Sequence, residues 1–373
     1  MIKRDLEDKI VSKLNTKKAI ILLGPRQTGK TTLLEKIADM TGDCLLIDCD
    51  DPVTRSGLES ANTEELKRMI GNHKTVFIDE AQRVKNIGLA VKIIVDRIKN
   101  VQLLVSGSSS LDLMSEINEP LTGRKWEYML YPISGSEHYR HFGHIRSRQL
   151  LETRLIYGMY PDVINNPGEE REILRQLTGS YLYKDILSYQ GVRKPELPEK
   201  LLRALSLQVG NEVSYNELAS LLQVDKKTIN SYLDLLEKSF VIFRLKSFSG
   251  NLRNEITANR KIYFYDTGLR NALTANFNPL DMRQDTGALW ENFLIAERMK
   301  FLHYNGIWAN SFFWRTTTRQ EIDYIEEREG KLFAYEFKWK SEKGKRFPAS
   351  FLQAYPESKT ALISNSNFQE FIL

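Results

Sequence analysis

Apolar and charged residues alternate strictly near the C-terminal end of the chain. In "AYEFKWK", residues 334–340, three aromatic side chains fall on one side, and Glu336, Lys338 and Lys340 fall on the other. A period of two predicts a β-strand with one apolar face. The preceding stretch "EIDYI" repeats the alternation, and "REGK" supplies Gly330 for a tight turn. The two stretches therefore predict a β-hairpin.

The first third of the chain has a different pattern, in which short continuous apolar runs alternate with helical stretches. The runs "AIILL", "CLLID", "TVFID" and "QLLVS" predict buried strands, and a fifth strand is predicted at residues 126–130. Strands that alternate with helices indicate an α/β fold with a parallel, doubly wound sheet. Ligands of such sheets bind beyond the carboxyl ends of the strands, so we expect the chemistry of this region there.

The middle of the chain is mostly helical in pattern. Residues 148–190 predict a small helical lid, and the prolines of "VRKPELPEK", residues 192–200, indicate a linker. A helix follows, then a second helix that Ser214 opens with Glu217 three residues later, a short turn, a third helix and two strands. The third helix has an apolar face made of Ile229, Leu233 and Leu236. This order of elements is typical of a winged helix-turn-helix domain.

Length and composition set broad limits. A chain of 373 residues is too long for one ordinary core and indicates two or three domains. Its 53 basic residues nearly balance 48 acidic ones, so the net charge of +5 permits an anionic partner without requiring one. Cys44 and Cys49 are expected to be reduced thiols. The charged start lacks an apolar signal core, and no apolar run approaches membrane-spanning length. We expect a cytoplasmic protein with no membrane partner.

A glycine-rich loop follows the first predicted strand and precedes a predicted helix. Residues 24–31 fit the spacing G-x-x-x-x-G-K-T, known as the Walker A motif. In such a loop backbone N–H groups cradle phosphates, Lys30 reaches the β- and γ-phosphates, and the Thr31 hydroxyl ligates Mg²⁺. The other interpretation, a glycine turn with an incidental lysine, is disfavoured by the flanking strand and helix. The nucleotide-binding candidates are Gly24, Pro25, Arg26, Gln27, Thr28, Gly29, Lys30, Thr31 and Thr32.

Two acids end the third predicted strand. In the Walker B pattern that they fit, Asp79 holds Mg²⁺ through water and Glu80 polarises the attacking water. The alternative is an acidic strand end that caps the next helix. The fourth strand ends in small hydroxyl residues, where Ser106 or Ser108 is either a γ-phosphate sensor or part of an ordinary turn. We assign Ser108 to the nucleotide site.

Arg124 lies just before the fifth predicted strand. An arginine here can act as a finger toward a nucleotide of its own or of a neighbouring subunit, and the second case would require a homo-oligomer. It can equally bind a carboxylate in a structural role. Both interpretations stay open at the level of the sequence.

Five stretches together carry a family resemblance: "LLGPRQTGKTTLL", "FIDEAQRV", "LVSGSSS", "LTGRKWEYMLYPIS" and "YGMYPDVI". They resemble the prokaryotic AAA+ family ATPases that carry an uncharacterised C-terminal region, over essentially the whole chain. The family often has a doubled glycine where this chain reads "GMYP". The resemblance implies an ATPase that uses ATP and Mg²⁺, with Lys30, Glu80 and Arg124 as catalytic residues. The resemblance indicates the reaction that the protein catalyses more clearly than its biological role.

The third helix of the predicted winged helix offers a polar face. Such a helix can lie in the major groove of DNA, with lysines on phosphates and polar side chains on base edges. The DNA-binding candidates are Lys226, Lys227, Thr228 and Asn230. The predicted wing adds the cations Arg244, Lys246, Arg253 and Arg260. The alternative is a module for protein contacts, because nearby acids dilute the charge.

The predicted hairpin has a definite register. A two-residue loop at residues 329–330 pairs Arg328 with Lys331. The same register places Asp323 opposite Glu336, with Cβ atoms about 4.5–5.5 Å apart. Like charges that face each other require a compensating cation, and Mg²⁺ is one that carboxylates bind.

One step along, the same register places Glu321 opposite Lys338. Lys338 either stabilises a developing charge beside the two acids or forms a simple cross-strand ion pair with Glu321.

An acid followed by acid-x-lysine on the next strand is similar to the PD-(D/E)xK nuclease-like core. That superfamily often has another acid on a preceding helix, and Glu291 has the matching position in "TGALWENFLIAERMK". The resemblance implies Asp323, Glu336 and Lys338 as catalytic residues and Glu291, Asp323 and Glu336 as Mg²⁺ ligands. Because the superfamily includes inactive members, cleavage does not follow from the fold.

The sequence therefore predicts an ATPase domain at 1–145, a helical lid at 146–192, a winged helix at 193–275 and a restriction-endonuclease-like α/β domain at 276–373. One functional hypothesis is an ATP-hydrolysing protein that engages DNA and cuts it with Mg²⁺. The other is a nucleotide-driven switch whose C-terminal modules bind a protein partner or DNA without cleavage.

Overall fold

The computed structural model describes residues 1–59, 62–108, 121–182, 196–249, 260–340 and 347–373, with the backbone alone at 180–182. The chain divides into two compact units. The first unit comprises Met1–Ile133 together with Lys238–Phe240, and the second comprises Ser134–Glu237 together with Val241–Leu373. Residues 134–145, which the sequence assigns to the ATPase domain, belong to the second unit.

The first unit contains a parallel sheet and helices. Its described helices are α1 (Asp5–Val11), α2 (Lys30–Thr41), α3 (Pro52–Glu59), α4 (Thr63–Ile70) and α5 (Ile87–Arg97), with a 3₁₀ turn at Ala81–Arg83. Its described strands are β1 (Ala19–Leu23), β2 (Cys44–Asp48), β3 (Thr75–Asp79), β4 (Gln102–Gly107) and β5 (Lys125–Met129). The strand order is β2-β3-β4-β1-β5, and every neighbouring pair is parallel.

The continuous apolar runs explain this sheet. Every residue of β1 is fully buried, as expected for the inside of a sheet covered on both faces. In the strand order, β4 lies between β1 and β3. Because all these strands are parallel, the residues that follow β1, β3 and β4 meet at one edge of the sheet. The predicted parallel α/β fold of this region is confirmed.

The second unit contains the remaining described elements. Its helices are α6 (Gly135–Phe142), α7 (His144–Gln149), α8 (Leu151–Tyr157), α9 (Pro161–Asn165), α10 (Glu170–Gln176), α11 (Glu196–Leu207), α12 (Tyr215–Leu222), α13 (Lys226–Lys238), α14 (Thr267–Leu273), α15 (Thr286–Tyr304), α16 (Ala349–Ala354) and α17 (Gln369–Ile372). A π-helical turn covers Leu177–Leu182 and a 3₁₀ turn covers Leu280–Met282. Its strands are β6 (Glu212–Val213), β7 (Ile242–Ser247), β8 (Arg260–Phe264), β9 (Asn310–Arg315), β10 (Glu321–Arg328), β11 (Lys331–Phe337) and β12 (Lys359–Ile363).

The strands of the second unit form one seven-stranded mixed sheet in the order β12-β11-β10-β9-β7-β8-β6. The parallel pairing of β7 with β9 joins the strands of the predicted winged helix to those of the predicted nuclease-like hairpin. The sequence treats 193–275 and 276–373 as separate modules, whereas the structure gives them a common sheet. Residues 183–192 of the predicted lid lie outside the described residues.

The described part of the predicted lid packs against α14. Gly158 approaches Asp266 so closely that an added Cβ would lie 2.0 Å from its Oδ1, so only glycine fits there. The Asp266 carboxylate accepts the Met159 N–H at 2.6 Å, and the Asn271 amide donates to the Ile156 carbonyl at 2.8 Å. The segment around "YGMYP" is therefore hydrogen-bonded to other residues of the second unit.

No helix among the described residues is long and apolar enough to cross a membrane. Cys44 and Cys49 are both free thiols, as expected. Burial raises the pKa of the Cys49 thiol to about 12, with Asp48 and Asp79 adding to the shift.

Candidate functional site

The glycine-rich loop joins the end of β1 to the start of α2. Gly24 has φ +150°, and an added Cβ would lie 2.1 Å from the Leu130 carbonyl oxygen, so a side chain is excluded there. Gly29 has φ +88° and stands immediately before α2 in the left-handed region that glycine adopts at no steric cost. The two glycines of the motif thus have different tasks: the first permits a close approach, and the second permits the turn into the helix.

The lysine of the motif folds onto its own loop. Lys30 is 5% exposed, and its Nζ donates to the Pro25 carbonyl oxygen at 2.8 Å. The buried Thr28 hydroxyl donates to the same carbonyl at 2.8 Å. Two donors therefore converge at the centre of the loop. A phosphate oxygen is a stronger, charged acceptor for such donors at a helix N-terminus.

Thr31 and Asp79, the two residues predicted to hold Mg²⁺, lie in direct contact. The Thr31 hydroxyl, in the first turn of α2, donates to Asp79 Oδ2 at 2.9 Å at the end of β3. Ser106, near the end of β4, donates to the other oxygen, Oδ1. A hydroxyl and a carboxylate that leave room for phosphate oxygens and water are the protein ligands that Mg²⁺ takes in nucleotide sites. The residues present therefore fit the ion.

Glu80 stands beside this pair in an unusual backbone conformation. Its φ is +51°, in the left-handed region, which is strained for a residue with a side chain. Its N–H donates to Asp79 Oδ1 at 3.1 Å and to the Ser106 hydroxyl at 3.2 Å. Asp79 and Ser106 thus fix the backbone of Glu80.

The Glu80 carboxylate is held by two further side chains. The Gln82 amide donates to Glu80 Oε2 and, at 2.8 Å, to the Ser108 hydroxyl. The Ser108 hydroxyl lies 3.4 Å from the same Glu80 oxygen, and its N–H donates to Gln82 Oε1 at 3.2 Å. Ser108 therefore lies with Glu80, which is compatible with its assignment to the site. Sequence reasoning missed Gln82, although its place two residues after Glu80 in "DEAQ" was a signal for it.

The other loop residues assigned to nucleotide binding lie around this centre. Pro25 is buried, Arg26 is half-buried, and Gln27 is exposed with φ +59°. Thr32 is exposed in the first turn of α2. Their roles toward a nucleotide stay predictions.

Arg124 lies at the opposite edge of the sheet. Its carbonyl accepts the N–H of Ala19, the first residue of β1, whereas the P-loop follows the last residue of that strand. A strand of five residues separates the two ends by about 16 Å. The guanidinium donates to Asp96 at 2.7 Å. A finger toward the nucleotide of its own chain is therefore the wrong role for Arg124, and the structural ion pair is the role that the geometry supports.

The hairpin of the second unit has the predicted register. Arg328 pairs with Lys331, and Glu329 and Gly330 both have positive φ, as a two-residue turn requires. The pairing extends to Tyr324 opposite Tyr335, which confirms this part of the prediction.

Asp323 and Glu336 lie just beyond that paired stretch. The Asp323 carboxylate accepts the Phe337 N–H at 2.7 Å, so it caps the partner strand. Glu336 is 4% exposed. Lys338 is half-buried, and its N–H donates to the Ile363 carbonyl at 2.9 Å.

A lysine from a different strand lies among the acids. Lys261 on β8 is 1% exposed, and its ammonium contacts Glu321 at 2.5 Å and Glu291 at 3.0 Å. Burial lowers the pKa of Lys261, but Glu291, Glu321 and Asp323 raise it more, so the net direction is upward. Glu321 pairs with Lys261, not with Lys338 as the sequence allowed. We call the three carboxylates Glu291, Glu321 and Asp323, together with the Lys261 ammonium among them, the acidic cluster.

Glu291 is the most perturbed acid of this cluster. Burial raises the pKa of its carboxyl to about 7, and Asp323 adds to the shift, while Lys261 and the hydroxyl of Tyr263 oppose it. The Tyr263 hydroxyl donates to Glu291 at 2.6 Å. Within the described residues, no group of three His, Cys, Asp or Glu side chains is arranged to hold a metal ion. Glu291, Asp323 and Glu336, the predicted Mg²⁺ ligands, therefore form no such group, and the Lys261 ammonium lies against Glu291.

The DNA-binding candidates lie at the start of α13. Lys226, Lys227 and Asn230 are exposed and Thr228 is half-buried. The Thr228 hydroxyl donates to Asp225 at 2.8 Å, and the Asn230 amide donates to Asp234 at 3.2 Å. The lysines are therefore presented to solvent, whereas both polar side chains are engaged with acids of their own helix region. The predicted apolar face of this helix is fully buried.

The predicted wing cations differ in their surroundings. Arg244 donates to Asp234 at 2.7 Å and also contacts Glu237, which neutralises it. Lys246 is exposed and Arg260 is half-buried. Arg253 lies outside the described residues.

Family models match three parts of the chain. Residues 16–139 match an AAA domain, residues 148–280 match a domain of unknown function, DUF8612, and residues 286–372 match another domain of unknown function, DUF4143. An uncharacterized protein of Mycobacterium tuberculosis is 28% identical over 341 residues, which cover 90% of this chain and 74% of that protein. An uncharacterized protein of Haemophilus influenzae is 25% identical over 274 residues, which cover 67% of this chain and 68% of that protein.

Among solved structures, the chain is similar to the Walker-type ATPase of Pyrococcus abyssi. The TM-score is 0.52 at 17% sequence identity, and the match covers 74% of this chain and 96% of that one. At this identity the likeness concerns the fold. Together with the AAA match and the loop geometry, it establishes that the N-terminal part of the chain is an AAA-type P-loop domain with the fold of a Walker-type ATPase.

Proposed function

We propose that the chain binds ATP with Mg²⁺ at the P-loop of its first unit and hydrolyses it. The observation that carries this proposal is the convergence of three groups at one edge of the sheet. Thr31 donates to Asp79 at 2.9 Å, and the Glu80 N–H donates to the same Asp79 carboxylate at 3.1 Å. A nucleotide-binding turn alone needs neither acid, whereas hydrolysis needs both a metal ligand and a group that polarises water.

Each residue has a definite task in this reaction. Lys30 binds the β- and γ-phosphates in exchange for the Pro25 carbonyl that its ammonium contacts at 2.8 Å. Thr31 and Asp79 would hold Mg²⁺, which when bound would supply positive charge against the charge that develops on the phosphates. Glu80 polarises the attacking water, and Gln82 and Ser108 hold its carboxylate in place.

Phosphate release from ATP tests this proposal directly. We expect magnesium-dependent turnover by the wild type, and its loss together with weaker ATP binding in Lys30→Ala, because the ammonium that pairs with the phosphates is gone. Lys99→Ala removes an exposed lysine of the same unit and is the matched control. A wild type without magnesium-dependent turnover would show that hydrolysis is the wrong assignment.

We further propose that the second unit binds DNA as its partner without cleaving it. The observation behind this choice is Lys261, whose buried ammonium lies 2.5 Å from Glu321 and 3.0 Å from Glu291. A cation that the chain itself supplies removes the need for Mg²⁺ to compensate these acids, and a metal would have to displace it. The exposed Lys226 and Lys227 favour DNA over a neutral partner.

A nuclease assay separates this proposal from the cutting alternative. Supercoiled, linear and branched DNA are incubated with Mg²⁺, with and without ATP, using the wild type and Asp323→Ala. We expect intact DNA with both proteins. Cleavage by the wild type that disappears in Asp323→Ala would instead identify the acidic cluster as a nuclease centre.

A further inference from the structure

A buried arginine of the first unit lies directly against the P-loop. Arg4 is 6% exposed and precedes α1 in an extended conformation. Its Nη1 donates to the Thr28 carbonyl at 2.6 Å, and its Nη2 donates to the Tyr131 carbonyl at 2.6 Å. One planar guanidinium thus bridges the P-loop and the segment that follows β5.

The Thr28 carbonyl belongs to a peptide unit that matters for phosphate binding. A peptide bond is planar and trans, so the C=O of Thr28 and the N–H of Gly29 point in opposite directions. A donor that holds the Thr28 carbonyl on one side therefore fixes the Gly29 N–H toward the other side. Gly29 has φ +88°, and because it lacks a Cβ its backbone can adopt other conformations at little steric cost, so a hydrogen bond to the Thr28 carbonyl restrains this peptide. Backbone N–H groups of this loop are the phosphate ligands of the Walker A motif.

The surroundings hold Arg4 in this position. The neighbouring α1 is anchored by Leu6 and Ile10, which are at most 1% exposed. Glu7, on the same helix, forms an ion pair of 2.7 Å with Lys36 on α2. The helix that follows Arg4 is therefore paired with α2, the helix that follows the P-loop.

The second acceptor of the Arg4 guanidinium is the Tyr131 carbonyl. Tyr131 follows Leu130, whose carbonyl oxygen already excludes any side chain at Gly24 by its closeness. The first residue of the loop thus packs against this segment, and Arg4 ties the fifth residue of the loop to the same segment. The loop is thus held at its first and fifth residues.

We propose that Arg4 is a positioning residue for phosphate binding, which orients the Gly29 N–H by holding the Thr28 carbonyl. This inference rests on the proposed nucleotide site of the first unit and adds a residue outside the motif to it. The ligand class is the phosphate chain of a nucleoside di- or triphosphate. Arg4 itself acts through the loop and touches no reacting atom.

The test compares ADP binding, pyrophosphate competition and ATP turnover in the wild type, Arg4→Ala, Arg4→Lys and the control Lys3→Ala. Lys3 is exposed and pairs with Asp8 at 2.7 Å, so its loss removes a neighbouring charge outside the loop. We expect the Kd for ADP and the KM for ATP to rise about 10-fold in Arg4→Ala, because a loop without this restraint that has the Gly29 N–H in place for about one tenth of the time binds about 10-fold more weakly. The inhibition constant of pyrophosphate should rise in parallel, since the effect concerns phosphate and not the base.

Arg4→Lys separates the guanidinium fork from its charge. A lysine retains the charge but cannot serve two divergent carbonyls with one planar group, so we expect a similar rise in KM. The turnover number at saturating ATP should stay within about 3-fold of the wild type in both variants, whereas a general loss of folded protein lowers turnover and leaves KM unchanged.

The outcomes are distinguishable. Wild-type binding of ADP without hydrolysis of ATP overturns the proposed hydrolysis and still allows Arg4 to be judged from the Kd. Unchanged Kd and KM in Arg4→Ala, with normal binding by the wild type, overturns the role of Arg4. A fall in turnover number at constant KM also overturns it, and a wild type that binds neither ADP nor pyrophosphate overturns both proposals.

Discussion

The Thr31 hydroxyl donates to the Asp79 carboxylate at 2.9 Å and thereby joins the first turn of α2 to the end of β3. These residues are far apart in the sequence. The parallel sheet brings them together because Asp79 ends β3 and Thr31 lies just after the loop that follows β1, and both strands end at the same edge. Ser106, from β4, contacts the other oxygen of Asp79. Residues from α2, β3 and β4 thus meet at one carboxylate, so the site needs these strands as well as the loop.

Glu80→Gln is expected to keep ATP binding and to lose turnover by about 10²-fold or more. The amide retains the size and hydrogen bonds of the carboxylate but cannot take a proton from water. ATP affinity from a titration and turnover from phosphate release measure the two effects separately. Equal turnover in the wild type and Glu80→Gln would exclude the water-polarising role.

Gln82→Ala should lower turnover about 10-fold while ATP affinity is retained. Gln82 donates to both Glu80 and Ser108, so its loss leaves the Glu80 carboxylate free to rotate. The same two measurements apply. A loss of ATP affinity equal to the loss of turnover would show that Gln82 shapes the binding site and does not orient Glu80.

Lys261→Met is expected to destabilise the second unit by about 3–5 kcal/mol. The change removes the cation from between Glu291 and Glu321 and leaves buried negative charge uncompensated. Urea unfolding followed by tryptophan fluorescence reports mainly on this unit, because four of the five tryptophans lie in it. Lys338→Met is the matched control, because Lys338 is half-buried at the end of the predicted motif. Equal destabilisation by both substitutions would contradict the central place of Lys261.

The stability of the second unit should fall as pH rises from about 4.5 to about 7. Burial raises the pKa of Glu291 from 4.5 to about 7, so within this window the folded protein retains a proton that the unfolded chain has released. The stabilisation is complete below 4.5 and is lost as the pH passes 7, a change of about 3 kcal/mol. Groups that face Glu291 are Lys261, Tyr263 and Asp323.

Glu291→Gln removes this titration and should flatten that part of the pH profile. Urea unfolding at several pH values between 4.5 and 7.5 measures the slope for both proteins. Glu357→Gln, at an exposed position, is the control and should retain the wild-type slope. A slope that persists in Glu291→Gln would assign the pH dependence to another group.

The parts of the fold that the sequence predicts correctly depend on local rules. The turn at Glu329 and Gly330 has the positive φ values that a two-residue hairpin needs, and turn geometry alone then determines the pairing of Arg328 with Lys331. In the same way, the spacing of Gly24 and Gly29 identifies the loop. A side chain at Gly24 would clash with the Leu130 carbonyl, and Gly29 adopts a left-handed conformation that favours glycine.

The parts that the sequence does not predict depend on pairings between distant segments. Lys261 reaches Glu321 because β7 pairs with β9 and draws β8 toward the hairpin, and no local pattern encodes that parallel pairing. The place of Arg124 in the sequence is compatible with an arginine finger toward a nucleotide. Its role, however, depends on the end of β5 at which it lies and on its contact with Asp96 from α5. Tertiary placement decides both cases.

Replacement of Lys226 and Lys227 by Ala should weaken DNA binding and reduce the salt dependence of the affinity. Both lysines are exposed at the start of α13, where each can neutralise one phosphate and release its counterion. The slope of log K against log salt should fall by about 2, and the loss should be similar for all DNA sequences because phosphate contacts carry no base information. Fluorescence anisotropy with a labelled duplex at several salt concentrations measures both quantities.

Replacement of the exposed Lys99 and Lys331 by Ala changes the net charge equally and is the matched control. An unchanged affinity and slope in the Lys226 and Lys227 variant, with DNA binding in the wild type, would rule out docking of this helix on DNA and favour a protein partner for the second unit.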